Sequence, residues 1–132
     1  QLGPVENNLV YRALELLAGE LNPSKGLAVT LQKSIPIQAG LGGGSSDAAA
    51  ALVAGQWMWT GQVDLKLAGK IAAQLGSDIN FFIEGFCDGK WTARCIGRGE
   101  QVEPFSLPNQ STWLVVTPPF GCVTAAVFGQ LQ

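Results

Sequence analysis

The sequence predicts a single domain in which α-helices and β-strands are mixed. Three observations carry this reading. Apolar residues recur at helical spacing around Leu9–Leu17 and Leu65–Leu75. Other stretches, such as Leu27–Leu31, alternate apolar with polar residues as strands do. A glycine-rich segment, Gly40–Gly44, joins a strand to a helix. The chain has 132 residues, 47% hydrophobic and 14% charged. That suffices for one compact core and argues against disorder.

The first helix runs from a cap at Asn7 or Asn8 to about Ala18, with Leu9, Val10, Ala13, Leu14, Leu16 and Leu17 on one stripe. Gly19 is placed as its stop. Asn22-Pro23-Ser24-Lys25-Gly26 is a turn. Leu27, Val29 and Leu31 then alternate with Ala28, Thr30 and Gln32, so this segment reads as a strand. The second helix starts near Ser46 and continues through Trp59. Its first two turns are mostly Ala, which lets it pack closely on a neighbour. Asp47 sits in its first turn, where a negative charge favours the helix dipole; coordination of Mg²⁺ is the alternative. A third helix spans about Asp64 to Leu75, with Gly76 as its C′ residue. Lys90–Ile96 and Trp113–Thr117 read as strands, and Val123–Leu131 as the start of another helix. Trp57, Trp59, Trp91 and Trp113 read as packing residues. Arg98 and Glu100 read as turn charges paired with each other.

Composition excludes several functions. The net charge is -2, and no basic cluster offers a nucleic-acid footprint. No apolar run approaches the roughly 20 residues needed to cross a bilayer. Gln1-Leu2-Gly3-Pro4 shows neither an initiator Met nor a signal-peptide pattern. Cys87, Cys95 and Cys122 are scattered, without C-x-x-C spacing, and the chain has no His. A Cys/His zinc site is therefore excluded, and reduced, partly buried thiols of a cytoplasmic protein are expected. Without His there is no Ser-His or Cys-His nucleophile. Chemistry here must use carboxylates, hydroxyls, Lys or Arg, and backbone dipoles.

Pro36-Ile37-Gln38-Ala39-Gly40-Leu41-Gly42-Gly43-Gly44-Ser45-Ser46 decides the functional reading. Glycines let the backbone take positive φ and approach a ligand. Successive N–H groups and the open start of a helix then face one point, which is an anion site suited to phosphate. Ser45 and Ser46 can add hydroxyl donors, or serve as ordinary N-caps. A Walker loop would need Gly-Lys-Ser/Thr, and no Lys lies between Lys33 and Lys66. A dinucleotide loop would need a third glycine where Ser45 stands. Asp64 is spaced like the ribose-binding acid of that fold, but Gly61-Gln62-Val63-Asp64 reads better as a turn and helix cap.

Pro36 to Ala50 resembles the phosphate motif of the GHMP kinases, P-x-x-x-G-L-G-S-S-A-A. The triple glycine and Ser-Ser-Asp ending are similar to the branch of that family with a cytidylyl substrate. Three other segments resemble the family in the right order: Glu6–Ala13, Leu75-Gly76-Ser77-Asp78-Ile79-Asn80-Phe81-Phe82, and Gly97-Arg98-Gly99-Glu100. Asn80 departs from the pattern, standing where Pro is common, and so does Gly85–Lys90.

The resemblance implies an α+β fold, ribosomal protein S5 domain 2-like, with helices packed on a mainly antiparallel sheet. Residues 1–132 would form one incomplete nucleotide-binding domain, without the family's N-terminal strands and C-terminal domain. It implies ATP and Mg²⁺ as cofactors, with Pro36 to Ser46 binding ATP. The implied reaction phosphorylates the 2-hydroxyl of 4-(cytidine 5′-diphospho)-2-C-methyl-D-erythritol in non-mevalonate isoprenoid synthesis. Asp78 would be the catalytic carboxylate; its structural alternative is to cap Ile79–Ile83. Phe128 would stack on cytosine; its alternative is a core position in a helix.

Overall fold

The computed structural model describes residues 3–107, 112–117, 120, 121, 123, 126, 127, 129 and 130. A 3-10 turn at Val5–Asn7 leads into α1 (Leu9–Leu21), followed by α2 (Gly43–Thr60), α3 (Leu65–Leu75) and α4 (Ile79–Asp88). Two strands, β1 (Ala93–Ile96) and β2 (Gln101–Pro104), pair antiparallel, with Ala93 opposite Pro104 and Ile96 opposite Gln101.

The helices make one core. Ala13 and Leu17 of α1, Ala48, Ala49 and Leu52 of α2, Ala68, Ile71 and Ala72 of α3, and Ile79 and Ile83 of α4 bury their side chains together. α2 lies centrally because its packed face is made of small residues. At Gly55 α2 lies tight against α1: a Cβ there would begin 2.8 Å from Leu14 Cδ2.

Each helix boundary has a local cause. Asn8 caps α1 by accepting from Val10 N at 2.9 Å. The helix runs past Gly19 to Leu21, because Leu21 packs against the core and Asn22 supplies the left-handed stop at φ 46°. α2 starts at Gly43, earlier than the sequence suggests, because left-handed Gly42 (φ 66°) turns the loop directly into the helix. Asp64 caps α3, accepting from Lys66 N at 2.8 Å and Leu67 N at 3.2 Å. That carboxylate is committed to the cap, as the turn-and-cap reading expects. Buried Gln56 braces the same turn, its Oε1 accepting from Asp64 N at 2.9 Å.

Several expectations are corrected. Leu27–Leu31 forms no strand; it lies as irregular chain along α1 and α2, with no ladder partner among the described residues. Trp113–Thr117 is irregular for the same reason, and Lys90–Ile96 is a strand only from Ala93. Trp57 and Trp113 are not packing residues, at 63% and 80% exposed. Trp59 does pack against the core and donates to Lys25 O at 2.9 Å. Trp91 lies half-exposed over Gly85, edge-on to Phe86. Cys87 and Cys95 are free and largely exposed, where the sequence suggests more buried thiols. Within Val123–Leu131, Ala126 and Val127 are helical, whereas Val123 is irregular and Gly129 and Gln130 form a turn; the other positions lie outside the described residues.

Candidate active site

The glycine loop, the start of α1 and the start of α4 enclose a cleft of about 620 Å³. Every residue from Pro36 to Ser45 lines it, together with Asn8, Leu9, Leu31, Lys33, Asp47 and Asp78. The structure thus brings together two motifs that are well separated in the chain.

The loop reaches its shape through three left-handed residues: Gln38 (φ 57°), Gly40 (φ 71°) and Gly42 (φ 66°). Gly42 is also tightly enclosed. A Cβ there would begin 2.8 Å from the Phe82 ring. The N–H groups at the start of α2 have no intrahelical acceptor until Ser46, whose N donates to Gly42 O at 2.8 Å. Among the described residues nothing accepts from the N–H groups of Gly43, Gly44 or Ser45. These donors and the positive end of the helix dipole make an anion site.

The serines differ from each other. Ser45 lines the cleft, whereas Ser46 does not. Ser46 Oγ is turned back to Gly43 O at 3.0 Å. Neither serine is an N-cap, since the helix begins ahead of both.

Asp78 precedes α4 with φ -83° and ψ -9°, already helical, and its side chain makes no capping bond. The structural alternative for this residue is therefore absent, and its carboxylate is left exposed to the cleft. Two neighbours place it. Ile79 and Ile83 anchor α4 in the core. The β1–β2 turn closes from the other side: Asn80 Nδ2 donates to Glu100 O at 2.9 Å, and a Cβ on Gly99 would begin 3.8 Å from Asp78 Oδ1. Arg98 and Glu100 are paired differently from expectation, through Arg98 N donating to Glu100 Oε2 at 2.7 Å. The backbone N–H groups of Glu100 and then of Arg98, donating to it, hold the Glu100 carboxyl below its usual range. Cys95 on β1 has its thiol pushed up by burial and, secondly, by the Asp78 carboxylate.

Sequence reasoning missed Lys33. Its ammonium pairs with Asp47 Oδ2 at the edge of the cleft. Because α2 starts at Gly43, Asp47 stands beyond the first turn, and its charge is spent on Lys33. The signal was available: Lys33 and Asp47 are the charges that flank the uncharged stretch 34–46. Phe128 lies outside the described residues, as does Cys122. No helix among the described residues is long and apolar enough to cross a membrane. No group of three or more Cys, Asp or Glu among them could hold a metal ion.

Comparison with known proteins places this geometry. The chain is similar to the 4-diphosphocytidyl-2-C-methyl-D-erythritol kinase of Bacillus anthracis, 39% identical over 128 residues, covering 96% of this chain and 42% of that protein. The like-named kinase of Bacillus mycoides (strain KBAB4) is 40% identical over the same shares. The chain therefore spans less than half the length of these relatives. A crystal structure of 4-(cytidine 5'-diphospho)-2C-methyl-D-erythritol kinase superposes with a TM-score of 0.67 at 40% identity, covering 82% of this chain and 37% of that one. Residues 8–86, more than half of the chain, match the GHMP kinases N terminal domain. Sequence motif, fold and family match agree, and the chain belongs to the GHMP kinase family.

Proposed function

We propose that this protein transfers the γ-phosphoryl group of ATP to the 2-hydroxyl of 4-(cytidine 5′-diphospho)-2-C-methyl-D-erythritol. One observation carries the reading: uncommitted N–H groups of the glycine loop and the uncapped Asp78 carboxylate face the same cleft. The names of the relatives support the choice of acceptor.

In this reading the loop from Pro36 to Ser46 holds the triphosphate. The N–H groups of Gly43, Gly44 and Ser45 stabilise charge that develops on the transferring group. Asp78 orients the acceptor hydroxyl and takes its proton. The hydroxyl oxygen forms a bond to the γ-phosphorus as the bond to the β-γ bridging oxygen breaks, and ADP leaves. Phe128 stacks on the cytosine ring. ATP fits the donors present here. Mg²⁺, the metal that goes with this chemistry, would neutralise the phosphates. Among the described residues no cluster of three or more acids or thiols forms a site for it, and Asp47, which shares the cleft with Asp78, is paired with Lys33. No step is assigned to the metal. A cytoplasmic setting, where thiols such as Cys87 and Cys95 stay reduced, goes with this reading.

The test is ADP release by the purified protein with ATP and each of three acceptors: the cytidylyl methylerythritol, homoserine and mevalonate. Turnover confined to the first supports the proposal. Turnover on another acceptor reassigns the substrate. ATP binding without turnover on any makes the domain a non-catalytic nucleotide-binding module.

A further inference from the structure

The glycine loop is held at its two feet. Lys33, just before it, pairs with Asp47, just after it, fourteen positions away. The pair is partly shielded, with 17% and 26% of the two side chains exposed. Ile35 adds an apolar contact at the same place. A Cβ on Gly43 would begin 2.9 Å from Ile35 Cγ2 and 3.4 Å from Lys33 Nζ. Between these feet the chain has only a turn of its own at Ile37–Gln38. No hydrogen bond ties residues 34–41 to other elements among the described residues. Yet this stretch carries left-handed Gln38, a conformation that costs a non-glycine residue energy and persists only when its surroundings impose it.

We infer that Lys33 and Asp47 are positioning residues, an ionic clasp that closes the feet of the glycine loop and pre-organises its N–H groups for an anion. The inference rests on the nucleotide reading above for the identity of that anion. Physically, a loop fixed before binding spares the ligand the ordering entropy, so the clasp acts on affinity. It leaves the reaction step itself to groups that touch the substrate. The pair also balances charge. Alone, Lys33 would oppose the positive end of the α2 dipole, and Asp47 alone would repel phosphate from the cleft.

The experiment compares wild type with Lys33→Met, Asp47→Asn, the double variant and Lys33→Arg. Hydrogen exchange of peptides covering 34–46 is read in free protein, and ATP affinity by calorimetry with and without Mg²⁺. Steady-state kinetics and melting curves accompany them. Either single neutral variant should speed exchange in the loop and leave α1 and α3 unchanged. Lys33→Met should raise the KM and Kd for ATP roughly 3- to 30-fold, whereas in Asp47→Asn the freed Lys33 ammonium attracts phosphate and offsets part of that loss. kcat at saturating ATP should stay within about twofold, because only uniform binding is lost. The double variant should be no worse than the poorer single variant, since one interaction is removed in each case. Lys33→Arg should stay near wild type. Unchanged loop exchange overturns the clasp, and so do losses that add in the double variant. Loss of the Mg²⁺-dependent part of ATP affinity in Asp47→Asn alone would make that carboxylate a metal ligand and also overturns it. Exchange needs no nucleotide. A wild type that binds no ATP would therefore refute the nucleotide reading, while the clasp is judged on exchange.

Discussion

Asn80 donates from its side-chain amide to the backbone carbonyl of Glu100 at 2.9 Å, and so ties the β1–β2 turn to the first turn of α4. The turn carries Gly99 against Ser77 and Asp78. Asn80 stands where the GHMP pattern commonly has Pro, and this hydrogen bond is what the departure gains.

Asn80→Ala removes the donor and leaves the Glu100 carbonyl without it. A bond of this kind contributes about 1 kcal/mol, which corresponds to a melting shift of roughly 3–5 °C for a domain of this size. Because the turn neighbours Asp78, kcat should fall with it while the KM for ATP holds. Calorimetric melting and kinetics on one variant check both. An unchanged melting point would mean that the tie contributes nothing.

Gly42 carries two constraints that Gly40 does not. Both have positive φ, but a Cβ at Gly42 meets the Phe82 ring at 2.8 Å, whereas at Gly40 it meets nothing within 4 Å. Phe82 packs against the core, so the collision reaches the fold. Gly40→Ala should cost about 1 kcal/mol, the penalty of a left-handed residue with a side chain. Gly42→Ala should cost distinctly more and should weaken ATP binding as well. Equal melting points for the two variants would refute the close-approach argument.

Much of this was legible in the sequence, for identifiable reasons. The stripe Leu9–Leu17 and the cap at Asp64 are local signals, and both hold. The glycine loop was readable because few backbones need so many glycines before a helix. Gly19 misled because core packing at Leu21 outweighs the propensity cost of one mid-helix glycine, about 1 kcal/mol. Leu27–Leu31 has the alternation of a strand, but a strand exists only with a hydrogen-bonded neighbour, and alternation does not supply one. The exposure of Trp57 and Trp113 was invisible for a similar reason: aromaticity shows what a side chain can bury, not whether anything covers it. Lys33 and Asp47 meet through the loop's fold, and helix-dipole reasoning on Asp47 alone cannot see a partner outside the helix.

Phe128→Leu tests the cytidine side of the substrate. Its role rests on the family resemblance, since Phe128 lies outside the described residues. Base stacking contributes about 1–3 kcal/mol, so the KM for the cytidylyl substrate should rise roughly 5- to 150-fold. The KM for ATP should stay nearly unchanged. A variant that only melts earlier, with both KM values intact, would return Phe128 to a packing role.

Cys95 reports on Asp78 without any substrate. Its thiol is pushed up first by burial and then by the Asp78 carboxylate. A raised value means less thiolate at a given pH, and the thiolate is the reactive form. Asp78→Asn removes one of the two causes, so the thiol should titrate lower and alkylate faster below its midpoint. Above the midpoint the two proteins should react alike, since both thiols are then ionised. The stability linkage has the same sign. The raised value contributes stability at low and neutral pH, and that contribution is lost as pH rises through it. Rates measured across pH by mass spectrometry, with Cys87 as internal reference, check the claim. Identical profiles would separate Cys95 from Asp78.

Asp78→Asn also decides whether this carboxylate acts in chemistry. The acceptor hydroxyl is a weak nucleophile, and a carboxylate facing the glycine loop can hold it in line with the γ-phosphate and take its proton. Asn keeps the size and removes the charge. Asp78 makes no capping bond, so α4 loses no hydrogen bond by the change, only a modest charge–dipole contribution at its N-terminus. The melting temperature should therefore stay near wild type. ATP affinity should hold as well, because the triphosphate is assigned to N–H groups of the loop. kcat should fall by about 10²- to 10⁴-fold, the usual contribution of a positioned general base. Steady-state kinetics beside calorimetric ATP binding measure both quantities on one sample. A near-normal kcat would remove Asp78 from the reaction and leave the cleft a nucleotide site whose base lies elsewhere.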